Sequence, residues 1–107
     1  MINDYISKQR QILEKIRRIL VDAIEEDYAS LELYEELFET SDKCVMFYTD
    51  KIGNRKNIIL KAIENLDRMD LSFDLNKIMK QENGKSWKSF SLSYKRGGSV
   101  DVNFNYE

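Results

Sequence analysis

SLELYEELFET, residues Ser30 to Thr40, can be read in two ways, and the fold depends on which is right. As a helix it is amphipathic, with Glu32, Glu35, Glu36 and Glu39 on one side and Leu33, Tyr34, Leu37 and Phe38 on the other. As a strand it puts Leu31, Leu33 and Leu37 on one face, interrupted only by Glu35. The local pattern alone favours the helix.

The segment lies inside a longer run, Asp22 to Asp42, that holds nine carboxylates and no Lys or Arg, in a chain of net charge −2. Upstream of it, Ile2 to about Asp27 reads as one amphipathic helix. Ile2, Ile6, Gln9, Leu13, Ile16, Leu20 and Ile24 recur at three- and four-residue steps, and Asn3 or Asp4 is placed to cap the start. Lys8, Arg10, Lys15, Arg17 and Arg18 lie mid-helix, while Asp22, Glu25, Glu26 and Asp27 close it. Carboxylates at a helix C-terminus face its partial negative charge and each cost about 0.3–1 kcal/mol. A local rule broken without local gain marks a place to look for function.

Downstream, KCVMFYTD (43–50) is rich in β-branched and aromatic residues and reads as a strand, with a loop at Ile52-Gly53-Asn54. From Asn57 to about Glu82 a helical step returns through Ile59, Ile63, Leu66, Met69 or Asp70, and Phe73, with a possible restart at Ser72. Asn83-Gly84 ends it. The last segment is a β-hairpin: Phe90, Leu92 and Tyr94 alternate with serines, Lys95 to Ser99 turn the chain, and Val100, Val102, Phe104 and Tyr106 alternate with Asp101, Asn103 and Asn105.

A chain of 107 residues is expected to form one domain spanning 1–107. No apolar run reaches the ~20 residues of a membrane span, and no secretory leader is evident, so a cytoplasmic address is expected. There is no histidine, which removes Ser-His and Cys-His nucleophile activation and the commonest metal ligand. The single cysteine, Cys44, excludes an internal disulfide and reads as a small buried hydrophobe. The acidic run contains no Gly, which a Ca²⁺ loop needs at its sharp turn. These readings point away from an enzyme and away from any cofactor or metal.

The hairpin WKSFSLSYKRGGSVDVNFNYE, residues 87–107, resembles the C-terminal end of the YezG-like antitoxin family. These are immunity proteins that block nuclease toxins of bacterial polymorphic-toxin and contact-dependent growth inhibition systems. The positions that match are Trp87 opening the hairpin, Arg96 with Gly98 in the turn, and Phe104 with Tyr106 at the end. Upstream, Tyr28, Leu31, Leu33 and Leu37 followed by CVMFYT match the family's alternating spacing, although Tyr28 stands where the family often has Trp and the middle region is shorter. The resemblance runs over about two thirds of the chain. It implies that residues 30–39 are a strand, against the local pattern. The implied fold is α+β, in α-β-β-α-β-β order, with a four-stranded antiparallel sheet and helices packed on one face.

On this reading the protein is an immunity protein (antitoxin), a monomer or weak homodimer that meets a cognate toxin, a basic nuclease, through acidic side chains. The residues expected to carry the contact are Glu25, Glu26, Asp27, Glu32, Glu36, Glu39 and Asp42. Carboxylates facing Lys and Arg steer association and fix orientation. The plain alternative is that the acidic run is only a solvated surface. A rival reading makes Lys77, Lys80, Lys85, Lys88, Lys95 and Arg96, interleaved with Trp87, Phe90 and Tyr94, a nucleic-acid-binding face. Against it, Phe90 and Tyr94 fall on the apolar side of the hairpin, and the sequence pI is near 5.3. A non-catalytic adaptor is a third possibility.

Overall fold

The structure is a computed structural model that describes residues 4–106. Ile2, Asn3 and the side chain of Asp4, and with them the expected N-cap, lie outside the described residues. The elements are α1 (Asp4–Asp22), β1 (Tyr28–Leu37), β2 (Asp42–Asp50), β3 (Arg55–Asn57), α2 (Ala62–Asn83), β4 (Ser89–Lys95) and β5 (Val100–Asn105). The five strands form one sheet in the order β3-β2-β1-β4-β5, with every pairing antiparallel. The sequence led to four strands. The fifth, β3, is three exposed residues without apolar alternation, which pair with Phe47 to Thr49 after the turn at Gly53.

Residues 28–37 are a strand, and its register explains why. Leu33 stands between Met46 on β2 and Leu92 on β4, and Leu31 stands between Tyr48 and Tyr94. Continued onto β5, the same face carries Val100, Val102 and Phe104. Arg17 of α1 stacks over the Tyr94 ring at 4.8 Å, and Arg68 and Ser72 of α2 reach Glu35. Tyr94 and Glu35 belong to one sheet face, so both helices cover that face. Ile12, Ile16 and Leu20 of α1 and Leu75 and Met79 of α2 bury against Leu31, Leu33, Phe90 and Leu92. Each such side chain contributes about 1.5–3 kcal/mol relative to exposure. Trp87 closes one end, its ring centroid 5.0 Å from Phe90 and 5.5 Å from Phe104.

Two boundaries differ from expectation. The first helix ends at Asp22, not Asp27, so Glu25, Glu26 and Asp27 escape the helix C-terminus they would have opposed. The second begins at Ala62, where the Glu64 carboxylate accepts the Lys61 backbone N–H at 2.8 Å, and runs without a break through Ser72. It ends at Gly84, whose φ of 75° lets its N–H reach the Lys80 carbonyl at 2.7 Å. Its buried side is also not the expected one. Arg68, Ser72, Leu75 and Met79 face inward, while Ile59, before the helix, and Ile63 and Leu66 within it stay exposed.

Candidate protein-interaction face

Apart from Asp22, which ends α1, the carboxylates of the acidic run separate into three groups. Glu25, Glu26 and Asp27 sit in the loop before β1. Glu26 accepts hydrogen bonds from the Tyr48 hydroxyl and, at 2.8 Å, from Lys56 Nζ. These two donors, Lys56 first, hold the Glu26 carboxyl below its ordinary value. Asp27 lies 3.3 Å from Arg96 and 3.9 Å from Lys51. Three loops are thereby drawn together at one end of the sheet. Glu25 is exposed and forms no ion pair among the described residues.

At the other end of β1, about 30 Å away for ten residues at ~3.3 Å each, the second group turns inward. Arg68 Nη1 lies 2.8 Å from Glu35 Oε2, and Arg68 Nη2 donates to Asp42 Oδ2 at 3.0 Å. The Nη1–H is not aimed along the first of these lines, so that contact is a close approach and not a directed hydrogen bond. The Ser72 hydroxyl donates to Glu35 Oε1. Glu35 and Arg68 are 0% and 1% exposed. Burial, then the neighbouring Asp42, pushes the Glu35 carboxyl up to about 7, despite the lowering pull of Ser72 and Arg68. Asp42 is raised by its partial burial but lowered more by Glu35 and Arg68, and it holds the charge.

Glu35, Asp42 and Cys44 bring potential metal-ligating atoms within 4.8 Å of one another, a meeting the sequence reading did not foresee. The cationic place there is taken by the Arg68 guanidinium. Burial pushes the Cys44 thiol up to about 12, which leaves it protonated and inert at neutral pH. Glu35 has no exposed surface, so its perturbed acidity is out of reach of any substrate. Asp42, one of the seven expected contact residues, is therefore held by the core.

The third group occupies the sheet face that no helix covers. Glu32 stands between Phe47 and Ser93, Tyr34 between Val45 and Ser91, and Glu36 between Lys43 and Ser89. Tyr34 and Val45, directly opposite one another, are 48% and 52% exposed. Phe38, just beyond β1, is as exposed as Tyr34. Arg55 lies flat over Phe47, 3.8 Å from the ring centroid. Glu32, Glu36 and Glu39 form no ion pair among the described residues. The face is mixed in sign, since Lys43, Arg55 and Lys95 share it, but along β1 and its turn only carboxylates are charged. Toward β5 it carries Ser89, Ser91 and Ser93 beside Asn105, Asn103 and Asp101, so the only charge added there is one more carboxylate.

Of the seven expected residues, the structure places Glu32 and Glu36 beside one aromatic surface, leaves Glu39 exposed in the turn after β1, and puts Glu25, Glu26 and Asp27 at the far end of the strand. Sequence reasoning missed Tyr34, Phe38 and Val45. The signal was present: with Leu31 and Leu33 inward, alternation puts Tyr34 outward. The rival basic residues are exposed, but Trp87 and Phe90, each 1% exposed, are closed to a nucleic-acid base. Comparison of the chain with protein-family models finds no match, and comparison with curated proteins finds none either.

Proposed function

We propose that this protein is an immunity protein that binds a cognate toxin domain, a basic nuclease, and neutralises it by stoichiometric occupation rather than by chemistry. The observation that carries the reading is the uncovered sheet face, where exposed Tyr34 and Val45 are bordered by Glu32 and Glu36, with Phe38 and Glu39 exposed in the adjoining turn, and where these carboxylates form no ion pair among the described residues. The toxin class comes from the resemblance of the hairpin and first strands to YezG-like antitoxins.

The physics of such a contact follows from the face. Aromatic side chains lose little conformational freedom on docking, and desolvated aromatic anchors carry most of an interface's energy. Carboxylates around them orient a partner rich in Lys and Arg and speed its approach. The face is built on the central strands β1 and β2, so it is presented as a preformed surface with little ordering cost.

The test is co-expression with the C-terminal domain encoded by the gene immediately upstream. The expected result is a one-to-one complex and restored growth, both lost on Tyr34→Ala combined with Glu32→Lys. A folded double variant that still protects would overturn the placement of the face. Purified protein that itself degrades RNA or DNA would overturn the immunity reading.

A further inference from the structure

On the opposite side of the molecule, the outer surface of the helix layer carries a groove of about 420 Å³ between α1 and α2. Its floor is Ile19 and Leu71. One wall is Lys15 and Arg18 of α1, with Asp22 at its end, and the other is Asp67, Asp70 and Asp74 of α2. All six charged side chains are exposed, and none makes an ion pair among the described residues. Farther along α2, Ile63 and Leu66 extend the stripe of Asp67, Asp70 and Asp74, and they are 64% and 49% exposed. This stripe lies opposite the buried Arg68, Ser72, Leu75 and Met79.

We infer that this groove is a homodimer interface, in which a second copy of the chain packs helix layer to helix layer about a twofold axis running along the groove. Rotation by half a turn about an axis in that direction exchanges the two walls. The basic wall of one copy then faces the acidic wall of the other, twice, by one symmetric operation. An axis across the groove would set like charge on like, which disfavours that arrangement. The charge pattern therefore selects both the occupant and its orientation. Ile19, Leu71, Ile63 and Leu66 supply the apolar surface that the charges frame, as the inward positions of two paired helices do in a four-helix bundle. The interface leaves the uncovered sheet face free on both outer sides. It stands independently of the toxin reading.

The experiment is a charge exchange followed by light scattering and sedimentation of the whole chain. Wild type should dimerise in the micromolar range, more weakly as salt rises. Asp70→Lys with Asp74→Lys makes both walls basic, and Lys15→Glu with Arg18→Glu makes both acidic. Each double variant should lose at least tenfold in dimer affinity, with far-UV circular dichroism and melting unchanged. Mixing the two variants should restore a dimer containing one chain of each. A wild type that stays monomeric at hundreds of micromolar overturns the inference. So does a dimer indifferent to both reversals, or two weakened variants that fail to rescue one another. Because toxin protection is not read, failure here does not bear on the sheet face.

Discussion

Arg68 on α2 and Glu35 on β1 are each the ionisable residue on the buried face of its own element, and they meet in the core 2.8 Å apart. Asp42, at the start of β2, takes the second arm of the guanidinium. A single cation thus serves two carboxylates from adjacent strands, and it fastens α2 to the middle of the sheet.

Arg68→Ala should leave Glu35 and Asp42 without their cation and reduce stability by about 3–5 kcal/mol, the usual result of removing one partner of a buried pair. Replacing the buried partners, Arg68→Met with Glu35→Leu, should recover part of that loss, while Asp42 still lacks its cation. Urea denaturation of the single and double variants checks this. A double variant no better than Arg68→Ala would show that the contact is not the source of the loss.

Stability should depend on pH through Glu35. Its carboxyl is raised from the ordinary 4.5 to about 7, so the native state holds a proton that the unfolded chain releases. The stability contributed by neutral Glu35 is complete below 4.5 and is lost as pH rises through 7, a change of roughly 3 kcal/mol. Asp42, Glu26 and Asp50 act in the opposite sense. Their carboxyls are lowered, so their contributions are present above the ordinary carboxylate values and disappear as pH falls through the folded ones. Glu35→Gln should therefore flatten the fall in stability between about pH 5 and pH 8 while leaving the acid limb in place. Equal slopes for wild type and variant in that interval would contradict the assignment.

The hairpin register makes its own prediction. Val102 pairs with Leu92 on the covered face, and Asn103 pairs with Ser91 on the open one. Val102→Asp should cost about 2–4 kcal/mol by placing a charge against the core, whereas Asn103→Asp should stay within about 0.5 kcal/mol of wild type. Equal tolerance of the two in thermal melts would sink the register.

For the sheet face, reversing Glu32, Glu36 and Glu39 together to Lys should abolish protection of cells and slow association with the toxin domain most at low salt. Reversing Glu14 and Glu82, both exposed and away from that face, should leave protection intact. Glu64 is unsuited as a control, because its carboxylate caps α2. Equal protection by both sets of variants would reduce the acidic run to a solvated surface.

The C-terminal hairpin was legible because alternation and a Gly-rich turn are local signals. The first strand was not, because at Ser30 to Thr40 helical and strand periodicities both fit and the deciding fact is tertiary. Glu35 is acceptable in an inward position only because Arg68 comes to meet it from 33 positions away. The same pairing misled the reading of α2: seeking the apolar side selects Ile59, Ile63 and Leu66, while the helix turns its cation inward. The acidic end of the first helix did carry a legible warning, since its conflict with the helix C-terminus is relieved where the helix stops early. Dispersal of eight of the nine carboxylates to two ends and one face, with Asp22 left on α1, could not be read from their crowding in sequence, because a strand of ten residues carries neighbours apart.

The three-residue strand β3 has a consequence for life in a crowded cell. Arg55, Lys56 and Asn57 border the sheet beside β2, Lys56 paired with Glu26 and Asp50, and the strand is too short to template another chain. A sheet that leaves aromatic residues uncovered invites edge-to-edge polymerisation unless its margins repel it. Brevity is the main obstacle at this margin, with the Arg55 guanidinium over Phe47 adding one charge to it. On this side the aromatic surface is therefore left open beside an edge that offers another chain only three residues to pair with.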